Sequence, residues 1–281
     1  LIDLDGWVPK EMILKPKVAM HINWPGDRPF GGEFASEERQ GNVVQMRKQN
    51  EKRIQELKKI LADARAYADA KDAREKDSSL PRQDLDLKLE ALYPVIRGEM
   101  PVVILAATER DIRAAIKFAD EEKIKMILSA AVEAYKVADD LKAKNIPVLV
   151  GQVIRMPEHT DDPYDMAYAN AGILSKAGVK VAFETFDSAH VRDLPYNAGM
   201  AAAFGMPKEE ALKAVTIYPA QIWGMADKIG SIETGKIANL IVTDGDPLEI
   251  RTQIKYLFIG GKELPLTSRH TELYEKYLSR P

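Results

Sequence analysis

Between Pro101 and Phe183 the chain repeats one pattern. A short apolar run is followed by an amphipathic helical stretch, and the pair then recurs. Pro101-Val-Val-Ile-Leu-Ala106 has the length of a strand buried on both faces. Thr108-Glu-Arg-Asp111 has the form of a capping box, and Ile112, Ala115, Ile116 and Ala119 continue a helical stripe. Strands recur at 124–129, 146–151 and 179–184, with helical patterns between them. Strands that are apolar throughout and joined by helices predict a parallel α/β sheet, because crossover helices cover its faces. An earlier strand is expected near 17–23, ended by Trp24-Pro25-Gly26.

Around this unit the sequence is less regular. A charged helix is expected from about Ser36 to Lys76, with Ile54, Leu57, Leu61, Ala64 and Ala68 on one face. Two readings stand for it, a coiled-coil partner helix or a helix lying on the domain surface. A short helix is expected over 84–97. After Gly230, short β runs separated by Gly and Asp turns predict a small antiparallel element.

Composition narrows the function classes. Forty Lys and Arg against 43 Asp and Glu give a formal charge of -3, without the basic excess of a nucleic-acid binder. There is no cysteine, which removes thiol nucleophiles, Cys zinc sites and iron–sulfur clusters. No apolar run is long enough to span a bilayer, so a soluble protein with no membrane partner is expected. The first residue is Leu1, and neither a signal peptide nor a compartment is legible.

Parallel α/β barrels do their chemistry at the C-terminal ends of the strands. The ends Ala106-Ala107-Thr108 and Ser129-Ala130-Ala131 read as chemically blank. Gly151, Gln152 and Arg155 come after the next strand. The last end is dense with ionisable groups: Glu184, Thr185, Asp187, His190, Arg192 and Asp193. A carboxylate beside a histidine suits a general base or a metal ligand, though such groups also cap helices and pair with one another. His21 reads as a packed strand residue, His159 as a loop residue and His270 as part of a polar tail.

Two stretches carry a resemblance. They are Ala211-Leu-Lys-Ala-Val-Thr-Ile-Tyr-Pro-Ala-Gln-Ile-Trp-Gly224 and Gly230-Ser-Ile-Glu-Thr-Gly-Lys-Ile-Ala-Asn-Leu-Ile-Val-Thr-Asp-Gly-Asp-Pro-Leu248. Together they resemble the C-terminal signature of the amidohydrolase superfamily, in its imidazolonepropionase-like branch. The resemblance implies a (β/α)8 TIM-type barrel, here incomplete at the N-terminus, plus the C-terminal part of a small composite β-sandwich. Residues 1–224 are then the barrel portion and 225–281 the sandwich portion and tail. The implied activity is hydrolysis of non-peptide C–N bonds in amides or cyclic amides, with a small-molecule substrate. A homo-oligomer is the one protein partner left open.

The resemblance also implies a divalent metal such as zinc. The family's His-x-His pair has no counterpart here, and two further ligand positions fall at Leu105, or nearby Ala107, and at Ala130, which cannot bind metal. Asp187 matches the family's catalytic Asp with a shift of one residue. The expected catalytic residues are therefore Asp187 and His190, the expected substrate-binding residues Glu184, Arg192 and Asp193, and no metal ligand is assigned. The alternative is a non-catalytic relative that binds a ligand or serves as a scaffold.

Overall fold

The computed structural model describes residues 1–26, 43–157, 160–186 and 188–280. A one-turn helix α1 (Pro9–Met12) precedes strand β1 (Met20–Asn23), and helices α2 (Val43–Lys76) and α3 (Leu87–Ile96) come next. Strands and helices then alternate: β2 (Val102–Ala106), α4 (Glu109–Glu121), β3 (Met126–Ala130), a 3₁₀ turn (Ala134–Val137) running into α5 (Ala138–Ala143), β4 (Val148–Val150), α6 (Met166–Lys176) and β5 (Val181–Phe183). These five strands form one sheet in the order β1-β2-β3-β4-β5, and every pairing is parallel. This is the α/β arrangement of a TIM-type barrel, with five strands among the described residues.

The side-chain period of two splits the sheet into a thick face and a thin one. Val102, Ile104, Leu128, Val148 and Val181 point to the helices and join Ile112, Ile116, Leu141 and Leu174 in the main core. Val103, Ile127, Leu149 and Ala182 point the other way and form a small inner cluster, with Ala19, Ile222 and Trp223 packed on it. The inner face is therefore only partly filled by apolar side chains.

Helix α2 settles its two readings. Leu61, Ala64 and Ala68 are buried, Ile54 and Leu57 pack on the main core, and the helix lies against α3. Lys58 pairs with Glu121 at 2.6 Å and Arg65 with Glu122 at 2.7 Å, which fastens its charged flank to the end of α4. The predicted apolar face is thus packed within the chain. Its predicted start at Ser36 lies outside the described residues.

After β5 come α7 (Leu194–Ala203), α8 (Lys208–Ala214) and α9 (Ile217–Ile222). Strands β6 (Leu240–Thr243), β7 (Ile254–Ile259) and β8 (Lys262–Leu264) make the expected small antiparallel sheet. The tail around His270 is a helix, α10 (Arg269–Leu278), opened by a capping box in which Ser268 and Thr271 bond reciprocally.

Close packing makes one helical glycine sensitive. A Cβ on Gly172 of α6 would lie 2.8 Å from the Met206 backbone nitrogen and 3.0 Å from the Gly205 carbonyl carbon. Alanine would gain about 1 kcal/mol in helix propensity. Main-chain atoms on the facing turn cannot yield as a flexible side chain would, so overpacking costs about 1–3 kcal/mol. Gly172→Ala is therefore expected to be net destabilising, lowering the urea midpoint without changing the m-value.

Candidate active site

The described members of the expected site follow the C-terminal end of β5, and one of them reaches the end of β3. Glu184 comes directly after β5, and its backbone N–H donates to the Val150 carbonyl at 2.9 Å. Its carboxylate reaches across to β3. Ser129 Oγ donates to Glu184 Oε1 at 2.7 Å, and the Ala130 backbone N–H donates to the same oxygen at 2.9 Å. Burial pushes the Glu184 carboxyl up from its ordinary value, while the bonds from Ala130 and Ser129 pull it down. The upward push wins, so the carboxyl holds its proton more tightly than an exposed one would.

The backbone around this carboxylate departs from regular geometry. Ala130 (φ 70°), Ala131 (φ 54°) and Phe186 (φ 63°) all occupy the left-handed region, which side chains with a Cβ rarely adopt. Such strain persists where surrounding contacts over-determine it, often at functional sites. Gly151, just after β4, has φ outside that region, but a side chain there would displace the Phe186 ring. A Cβ there would lie 2.5 Å from Phe186 Cε2.

Two buried asparagines hold the loops that leave the strands. Asn170 of α6 donates to the Ala131 carbonyl at 2.8 Å and accepts from the Tyr135 N–H at 3.1 Å. Asn197 of α7 accepts from the N–H groups of Val153 at 2.7 Å and Ile154 at 3.3 Å, and donates to the Asp193 carbonyl at 2.9 Å. Glu133 is also buried; it accepts from the Glu109 N–H at 2.6 Å and pairs with Lys136 at 2.7 Å. These contacts make the ends of β3 and β4 rigid supports for the segment beyond β5.

The other expected residues have different surroundings. His190 and Arg192 are exposed, and Arg192 lies 3.8 Å from Asp193. Asp193 is half-buried beside the start of α7. Asp187 and His159 lie outside the described residues. The Arg192 side chain keeps 85% of its surface in solvent, so the pair is worth well under about 1 kcal/mol. Arg192→Ala is expected to leave the melting temperature unchanged within error; any effect on ligand affinity would then report binding alone.

Two sequence expectations need correction. The end of β3 is not chemically blank, because Ser129 is the hydroxyl partner of Glu184. A period of two would have pointed to it. In register, Ser129 pairs with Leu105 and Leu149, on the sheet face of Val103 and Ile127, whereas Ala130 belongs to the opposite face. His21, expected to be packed, is exposed, since β1 pairs only with β2 among the described strands.

A sequence model described as the amidohydrolase family matches residues 97–264. Among curated relatives, an imidazolonepropionase of Sphingopyxis alaskensis is 27% identical over 241 residues, covering 70% of this chain and 59% of its own length. The amidohydrolase tasK of Hapsidospora irregularis is 27% identical over 194 residues, 66% of this chain and 19% of the relative. An amidohydrolase structure from Thermotoga maritima superposes with a TM-score of 0.78 at 27% identity, covering 95% of this chain and 67% of that one. The chain thus spans between a fifth and three fifths of the length of these two curated relatives.

Proposed function

The chain belongs to the amidohydrolase family, and from that premise we propose that it takes part in the hydrolysis of a non-peptide C–N bond in a small amide or cyclic amide. The observation that carries this reading is Glu184, a largely buried carboxylate at the end of β5 with a raised proton affinity. Relatives support it in kind. Besides the imidazolonepropionase, an N-substituted formamide deformylase of Arthrobacter pascens is 50% identical over 44 residues, 16% of this chain and 8% of its own length. Among the described residues no helix is long and apolar enough to cross a membrane.

The chemistry that Glu184 suits is proton transfer. Water adds to the substrate carbonyl as Glu184 removes its proton, giving a tetrahedral intermediate. Glu184 then returns that proton to the leaving nitrogen as the C–N bond breaks. Both halves need one group that both takes up and gives back a proton, and burial raises the proton affinity of Glu184 toward that use. Asp187 and His190 remain the other candidates for proton transfer, with Arg192 and Asp193 as candidates for holding the substrate.

Family members generally use a divalent metal. The described residues do not fit one, since they contain no group of three or more His, Cys, Asp or Glu side chains able to hold it. Leu105, at a position where the resemblance places a ligand, pairs in register with Ser129 and has no donor atom. The same observation favours a second reading, a relative that keeps the barrel and binds a ligand without turnover.

The deciding experiment is a hydrolysis assay of the purified protein against a panel of cyclic amides and N-formyl amides, with calorimetric titration of the same compounds. Turnover lost in Glu184→Gln supports the hydrolase. Binding without turnover by the unsubstituted protein supports the second reading.

A further inference from the structure

We infer that Ser129 is the positioning residue for Glu184, holding one carboxylate oxygen so that the other faces the substrate. The inference rests on the hydrolase reading and deepens it.

The geometry begins with the sheet. Strands β3 and β5 are not neighbours; β4 lies between them. Two strand spacings are about 9–10 Å. A glutamate projecting from the end of β5 and a hydroxyl projecting from β3 close that gap, and the contact is 2.7 Å. The strand between them is followed by Gly151, which offers no side chain to obstruct the crossing. Aspartate at 184 would be one methylene too short.

Ser129 is also an unusual choice for its place. In register its row reads Leu105, Ser129, Leu149 and Ala182, so apolar side chains flank the hydroxyl. Ser129 is 3% exposed, and a buried hydroxyl without a partner is costly. The hydroxyl therefore has one role in the fold, donation to Glu184.

Both donors converge on Oε1. The Ala130 N–H reaches it from a residue in the left-handed region, next to a second one at Ala131. Among the described residues Oε2 has no hydrogen-bond partner, which makes it the oxygen that exchanges a proton with substrate. Ser129 thus fixes the rotamer of Glu184 and stabilises its ionised form.

The test compares Ser129→Ala and Ser129→Thr with the unsubstituted protein and Glu184→Gln. It reads kcat/KM across pH and tracks the Glu184 carboxyl by NMR titration. Losing a charge-assisted donor is expected to lower kcat/KM about 10- to 100-fold. It also removes a contact that favours the ionised form, so the acid limb of the profile and the Glu184 titration should both move to higher pH. Threonine keeps the hydroxyl and should restore both. A merely structural role would lower activity without moving either curve, and that result overturns the inference. Failure of the parent reading looks different: Glu184→Gln would remain active, and both proposals would fall. A Ser129→Ala protein inactive at every pH, with an acyl group trapped on Ser129 in the parent, would also overturn it, since Ser129 would then be a nucleophile.

Discussion

Glu184→Gln is expected to lower hydrolysis by about 10²–10⁴-fold while raising the melting temperature at neutral pH. The first half comes from removing a general base that the amide cannot replace. The second comes from burial. Glutamine presents a carbonyl oxygen to Ser129 Oγ and the Ala130 N–H, so both hydrogen bonds survive. It also removes a charge whose desolvation dominates the surroundings of Glu184. The sign can be traced through the titration. A carboxyl whose affinity for protons is raised in the fold contributes its stability fully below the ordinary carboxylate value of about 4.3. That contribution is lost as pH rises through the folded-state value. The variant and the parent should therefore melt alike near pH 4 and diverge toward pH 7, with the variant higher. Each 1 kcal/mol recovered is worth about 2–4 °C in a chain of this size. Equal melting curves from pH 4 to 8 would show that Glu184 carries no desolvation cost and is poorly suited to proton transfer.

This pairing of stability cost with chemical use explains what the sequence could and could not reveal. Four of the five parallel strands were legible because a strand buried on both faces is predominantly apolar, as 101–106, 124–129, 146–151 and 179–184 are. Their ends were legible only where charge was dense. Glu184 belonged to such a dense group, where it was expected to bind substrate, but Ser129 did not stand out, because a lone serine after an apolar run has no distinguishing composition. Its meaning comes from a residue 55 positions later in the chain, brought to it by the sheet order. The same limit hid Asn170 and Asn197. Each sits inside an apparently ordinary helix and is recognisable only by being 2% exposed. His190 and Arg192 show the converse. They stand out in sequence by charge, yet nothing in the sequence says that both are exposed. Helix α10 escaped notice because its apolar residues, Leu273, Tyr274, Tyr277 and Leu278, lie in a charged segment.

Asn197→Leu should be strongly destabilising for a single change at a buried polar support. The side chain is 2% exposed and serves three main-chain groups: the N–H of Val153, the N–H of Ile154 and the carbonyl of Asp193. Leucine has the same branching and number of side-chain heavy atoms and is bulkier, so the change opens no cavity. It leaves up to three polar groups without their partner. A buried group stripped of its hydrogen bond costs about 1–3 kcal/mol. Val153 is itself 1% exposed, so its N–H has little access to water. A loss of about 3 kcal/mol or more is expected, a large part of the roughly 5–15 kcal/mol that holds a typical domain folded. Chemical denaturation reads the total. Hydrogen exchange locates it: the amides of Val153 and Ile154 should lose protection, while Ile104 and Leu128, in the centre of the sheet, should lose only what global stability loses. Because Asn197 ties the loop after β4 to the start of α7, the variant should also weaken binding of any substrate held by Asp193. Unchanged exchange at Val153 would mean that the loop after β4 is held by its own backbone, with Asn197 only filling space.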